Sequence, residues 1–213
     1  SLFFLSNCRN KLLQTKSFLI TIIPLFIIFF ILSVNISSEL FLGWDAKYFN
    51  YIKTLYFFED KTIFDLNAHK ANVYHPYFGS YLWGFFWTIS PTETEYFGRL
   101  FYLFLFSYSL FCVSQIDNNK TINTLIFITL VFIFYEYKYF SGLHEILIFS
   151  LLVLISKFFY EILKNKDNIY IILILLFSNL FIWIKAEGIV YFLLVLFLFF
   201  FIKRINIKTK FLI

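Results

Sequence analysis

Two cysteines, six glycines, three prolines and three histidines are all that 213 residues carry of those types, and methionine is absent. Cys8 and Cys112 stand far apart, which argues against a disulfide framework and against a cysteine zinc knuckle. The glycines never fall into a phosphate-binding loop, a dinucleotide pattern or G-x-S-x-G, and no H-E-x-x-H occurs. His69, His75 and His144 lack any zinc spacing. Charge is also sparse, 15% of residues with a net of +5. In so apolar a chain that balance reads as membrane topology and gives no reason to expect a nucleic-acid partner.

What is abundant is hydrocarbon. Hydrophobic residues make up 61% and aromatic residues 25% of the chain, and the mean hydropathy is +0.79. Soluble domains do not reach such values. In lipid the backbone has to satisfy its own polar groups, so the expected fold is an all-α polytopic membrane protein. The 34 phenylalanines match an AT-rich codon usage and need no functional reading. The chain opens at Ser1 and stops within "KTKFLI", where another apolar segment begins, so a fragment is expected.

Six membrane spans are expected, near Ser17–Ile36, Tyr96–Gln115, Thr121–Tyr137, Leu143–Leu163, Asn168–Ile184 and Gly188–Ile202. The first is read as an uncleaved anchor, because no small-residue cleavage site follows it. Pro76–Ile89 is apolar but short, about 21 Å of helix at ~1.5 Å per residue against a hydrocarbon core of ~30 Å. The basic loops decide its placement. If it does not cross, Arg9, Lys11 and Lys16 share one side with Lys120, Lys164 and Lys166, and with Lys203, Arg204, Lys208 and Lys210. That side is the cytoplasm. Residues 37–95 then form one large extracytoplasmic loop with two interfacial helices, Asp45–Phe58 and His75–Ile89. In the first, Tyr48, Phe49, Ile52, Leu55 and Tyr56 take one face and Lys47, Asn50, Lys53 and Thr54 the other. Ser90-Pro91-Thr92-Glu93 reads as a capping box opening the next helix.

This topology puts three polar regions at one outer face: Asp45 with the His75 region, Tyr137–Glu145, and Lys185–Glu187. Each residue also has a plainer role open to it. Asp45 can be a helix N-cap, and His75-Pro76 a simple helix start. Glu145 can pair with Lys138 or His144, while Lys185 and Glu187 can snorkel to the interface. Glu93, Glu95 and Asp117 read as solvated surface charges. A metal here would take carboxylate oxygens, suiting Mg²⁺ or Mn²⁺.

The order of these signals resembles the GT-C superfamily, polytopic glycosyltransferases that use polyprenyl- or dolichyl-phosphate-linked sugars. "GWDAKYFNYIKTLYF" is similar to that group's first-loop motif, and the resemblance maps the catalytic carboxylate onto Asp45. Phe49–Tyr51 is similar to an element of oligosaccharyltransferase catalytic subunits, displaced by a residue. "YHPYFGSYLWGFFW" resembles the H-P segment of protein O-mannosyltransferases and implies that His75 lies near the donor phosphate. "SGLHEILIFSLLVL" matches the region of the second acidic motif, which maps onto Glu145. "WIKAEG" is similar to a K-N-E-G element of bacterial members, without its Asn. Residues 1–213 would then be the N-terminal part of such a transmembrane domain.

The resemblance implies a sugar transfer from a polyprenyl-phosphate donor to an extracytoplasmic acceptor: a glycolipid, a polysaccharide or a protein. Asp45 and Glu145 are the candidate catalytic groups, and the metal ligands if the reaction depends on a cation. His75, Lys53, Arg99 and Lys185 are the candidate phosphate partners, with Glu187 and Lys70 as further candidates. The expected place is the cell (inner) membrane, with the N-terminus cytoplasmic. The rival readings are a transporter or flippase of lipid-linked sugars, and an envelope polysaccharide polymerase or ligase. A transporter calls for charges at the bilayer midplane and for internal repeats, and the sequence has neither.

Overall fold

Arg99 and Trp83 are among the largest fully buried side chains of the fold. The computed structural model of the chain describes residues 2–38, 40–68, 76–91, 94–165 and 169–201. These residues are all-α, with no strand among them. In order they form α1 (Leu2–Ser38), a π-helical turn (Ala46–Asn50) running into α2 (Tyr51–Phe58), α3 (Ile63–Ala68) and α4 (Phe78–Thr88). α5 (Glu95–Ser114), α6 (Lys120–Phe134), a 3-10 turn (Tyr137–Phe140), α7 (Glu145–Asn165), α8 (Ile169–Ile184) and α9 (Gly188–Phe201) follow.

α5 is the central helix and packs on α1, α4, α6 and α7; α7 in turn packs on α8, and α8 on α9. Tyr102, Leu103 and Phe106 of α5 are fully buried. Small polar residues lie inside with them, and Ser109, Ser114 and Ser150 return their hydroxyls to carbonyls three or four residues back. That arrangement satisfies a hydroxyl without water and lets helices approach closely. Apolar side chains are turned outward instead. Ile20, Ile23, Phe26, Ile27, Phe30, Ile31 and Val34 form an exposed stripe along α1. So large an uncovered apolar surface marks a lipid or protein contact.

Three stretches are long and apolar enough to cross a membrane: Ile20–Ser38, Glu95–Ser114 and Glu145–Lys164. The other three expected spans are helices too, but shorter: Lys120–Phe134, Ile169–Ile184 and Gly188–Phe199. α6 falls short because its last turn is replaced by extended Tyr135 and Glu136 and then the 3-10 turn. α1 is longer than the Ser17–Ile36 span, covering 37 residues with Pro24 inside it.

Three local expectations need correction. Lys53 and Thr54 were assigned to a solvated face of the first interfacial helix, yet both are buried. The cause is α4, whose Ser80 and Gly84 receive the polar face: the Thr54 hydroxyl donates to the Asn50 carbonyl at 2.9 Å, and the Ser80 hydroxyl donates to the same oxygen at 3.0 Å. Tyr48 and Ile52 face outward instead. The Ser90 capping box is not the start of α5. Thr94 is the N-cap, and Ser90 Oγ accepts the Thr94 N–H at 3.2 Å; Glu93 lies outside the described residues. α4 begins at Phe78, two residues after Pro76.

Candidate functional site

Arg99 explains why the first loop and the 137–144 segment come together. Its Nε lies 2.8 Å from Glu95 Oε1, and its Nη2 donates to Glu95 Oε2 at 2.9 Å. Nη1 donates to the Phe41 carbonyl at 3.2 Å and points to the Phe140 carbonyl at 3.5 Å. One buried guanidinium thus clamps both segments onto α5. Arg99 is committed to the scaffold and is not placed among the cavity-lining residues, and Glu95 is its half-buried partner rather than a solvated surface charge. The clamp is reinforced by Gly43 N–H to the Ser141 carbonyl (3.0 Å) and by Asn50 Nδ2 to the Gly142 carbonyl (3.0 Å).

Gly142 has a positive φ of 87°. A Cβ there would lie 2.5 Å from the fully buried Trp83 ring, so both conformation and space require glycine. This turn aims the next three residues, Leu143, His144 and Glu145, at the first loop.

The result is a cavity of about 220 Å³ at the N-terminal end of α7. Its polar lining is Asp45, Asn50, His144, Glu145, Lys185 and Glu187, over a floor that includes Phe49, Leu143 and Ile184. Three regions distant in sequence therefore converge. Asp45 has helical φ and ψ (−61°, −39°) and makes no side-chain capping bond, so the plain N-cap role is not realised. It precedes a π-helical turn, a local widening often found at functional sites. Lys185 Nζ donates to Glu145 Oε1 at 2.6 Å, which ties the α8–α9 turn to α7. That bond holds the Lys185 ammonium's pKa above its ordinary value. Glu145 therefore pairs with neither of the partners expected for it. Lys138 lies 3.5 Å from Glu136 instead.

His144 is 4% exposed, with its ring against Gly79 and edge-on to Tyr102. Burial lowers its pKa to about 4, helped by the charges of Lys53 and Lys185 and opposed by Glu145 and a bond to the Ile184 backbone. The ring is neutral at pH 7, and its buried Nε2 has no hydrogen-bond partner. Lys53, on the buried face of α2, has its pKa lowered to about 8 by burial. It is not among the cavity-lining residues.

Of the residues expected at the site, Asp45, Glu145, Lys185 and Glu187 are brought together, while Lys53 and Arg99 belong to the supporting body. His75 and Lys70 lie outside the described residues. His144 and Asn50 were missed as lining groups. His144 entered only as a partner for Glu145, and Asn50 only as part of a polar helix face. No group of three or more His, Cys, Asp or Glu among the described residues is placed to hold a metal ion. Asp45 and Glu145 make a set of two carboxylates, one already ion-paired, which does not fit an all-protein cation site. No protein family, curated protein or solved structure matches the chain.

Proposed function

We propose that the chain belongs to a multi-pass membrane glycosyltransferase, moving a sugar from a polyprenyl-phosphate donor to an extracytoplasmic acceptor. The observation that carries this reading is Asp45: a helical aspartate free of capping duty, on a cavity shared with Glu145, Lys185 and Glu187. In the proposed reaction an acceptor hydroxyl attacks the anomeric carbon. The bond from that carbon to the donor phosphate oxygen breaks, and its electron pair stays on the phosphate. Asp45 takes the hydroxyl proton as general base. Lys185, held by Glu145, is the ammonium at the cavity that can face the leaving phosphate.

The membrane placement proposed with it has six crossings, an N-terminus in the cytoplasm and the cavity on the outer face of the cell (inner) membrane. The outward apolar stripe of α1 and the side-sorting of the basic loops support it. The cavity lies at the N-terminal end of α7 and the C-terminal end of α8, away from the middle of the bundle, which favours an enzyme over a transporter.

The test is Asp45→Asn in the full-length protein, assayed in membranes with a polyprenyl-phosphate sugar. Loss of general-base assistance lowers transfer about a hundred- to ten-thousand-fold, while protein level and donor binding stay as in the parent. Asn caps helices about as well as Asp, so a purely structural Asp45 gives near-parental transfer. That outcome removes Asp45 from the mechanism.

A further inference from the structure

Two neighbouring residues at the start of α7 are tied to two neighbouring residues at the end of α8. Glu145 holds Lys185, and His144 is bonded to the backbone of Ile184. His144 works in two directions. Its carbonyl opens α7, accepting the Leu147 N–H at 3.1 Å and the Ile148 N–H at 3.4 Å. Its ring reaches sideways to the last residue of α8, where a helix end leaves carbonyls without an intrahelical donor.

The surroundings decide which ring nitrogen makes that bond. Nε2 is buried without a partner. It lies against Gly79, where a Cβ would come within 2.7 Å of Nε2, Cε1 and Cδ2. The bond to Ile184 therefore belongs to Nδ1. A neutral imidazole carries one N–H, and the Ile184 carbonyl as acceptor puts that proton on Nδ1. The Tyr102 hydroxyl donates to the Gly79 carbonyl at 2.8 Å, so α4 and α5 close around the ring. Ile184 is itself buried, and a buried carbonyl is costly to leave unpaired.

What this fixes is Lys185. Three carboxylates attract its ammonium, those of Glu145, Glu187 and Asp45, and its four-carbon stem is flexible. The place of its backbone sets which of them it meets, and it meets Glu145 at 2.6 Å. A shift toward Asp45 would occupy the proposed general base and move the cation away from the leaving phosphate.

We propose that His144 is a positioning residue: its Nδ1–H pins the Ile184 carbonyl and so keeps the Lys185 ammonium on Glu145 and off Asp45. This rests on the transferase reading only for its consequence in turnover, a loss in kcat.

The experiment uses the full-length protein in phospholipid nanodiscs. Lys185 is acetylated with limiting acetic anhydride, and its extent is read by mass spectrometry. Removing the charge of its partner with Glu145→Gln should raise that acetylation severalfold in the parent. His144→Asn should behave as the parent does, because its Nδ2, like Nδ1 of histidine, is bonded to Cγ and can donate to Ile184. In His144→Leu, of similar bulk and without a donor, Glu145→Gln should change nothing. An equal effect of Glu145→Gln in all three backgrounds overturns the proposal. A second measurement needs no leucine variant. Nitrogen NMR of the histidine-labelled parent at pH 7, with His144→Asn assigning the signal, should show the proton on Nδ1; a proton on Nε2 overturns the proposal. Transfer is followed in the same preparations, and kcat should fall severalfold in His144→Leu and recover in His144→Asn. The expected acetylation pattern in a parent without transfer keeps the positioning and removes the transferase. Transfer by a parent whose acetylation ignores His144 removes the positioning and leaves the transferase.

Discussion

Lys53 shows how one buried side chain sets a pH dependence. Its folded pKa is about 8, against 10.5 for an ordinary lysine. Between those values the unfolded chain binds a proton that the folded chain does not, so stability rises as pH goes from about 8 to about 10.5. Below pH 8 both states carry the charge, and this contribution is flat. Lys53→Met, close in volume and uncharged, should abolish the rise in unfolding midpoint across that window in detergent. Parallel pH profiles for parent and variant would refute the assignment. Asp45 was legible in the sequence because Trp-Asp follows directly on a long apolar run. The inward turn of Lys53 was not, because a helical period identifies two faces without saying which one a neighbour covers. His144 was hidden for a related reason: its burial depends on Gly79, 65 positions earlier, leaving room for an imidazole.

At the scale of elements, glycines fix how closely helices meet. A Cβ on Gly98 would lie 2.1 Å from Trp83 Cδ1 and 2.4 Å from the Trp83 carbonyl oxygen. Trp83 is fully buried, and its indole Nε1 donates to the Glu95 carbonyl at 3.3 Å, so it has nowhere to go. Gly98→Ala should therefore destabilise the chain by about 1–3 kcal/mol, the usual cost of overpacking. Gly43→Ala makes the milder comparison, because its Cβ meets only the Ser141 hydroxyl, at 2.9 Å, which can turn away at the cost of its bond to the Lys138 carbonyl. Its unfolding midpoint should fall less than that of Gly98→Ala, and equal losses for both variants would contradict the packing account. Gly98-Arg99 was visible in the sequence as the start of a span, but Arg99 was read as a ligand for phosphate. Sequence does not show that two carbonyls, Phe41 and Phe140, would converge on its guanidinium. The shortness of α4 was legible from its apolar run, whereas the π-helical turn before α2 left no trace in hydropathy.

For the whole molecule, hydropathy located the apolar part of every long helix, because apolar length is a one-dimensional property; α1 alone starts far ahead of its expected span, at Leu2. The convergence of residues 45, 144–145 and 185–187 on one cavity is three-dimensional and was foreseen only through topology. That topology makes a direct prediction. With Cys8 and Cys112 replaced by Ser, an impermeant thiol reagent added outside should label both Asp65→Cys and Glu93→Cys in intact cells. Labelling at 65 with protection at 93 would mean that residues 76–89 cross the membrane, and would separate the regions assigned to one face. The most direct measurement combines sidedness with chemistry. Sealed right-side-out vesicles carrying the full-length protein are loaded with the polyprenyl-phosphate sugar and offered a water-soluble glycoside acceptor that cannot cross the bilayer. Wild-type vesicles should glycosylate the external acceptor, and Asp45→Asn vesicles should do so at least a hundredfold more slowly. Product formed equally by both, or only when the vesicles are inverted, would contradict an outward-facing transfer site built on Asp45.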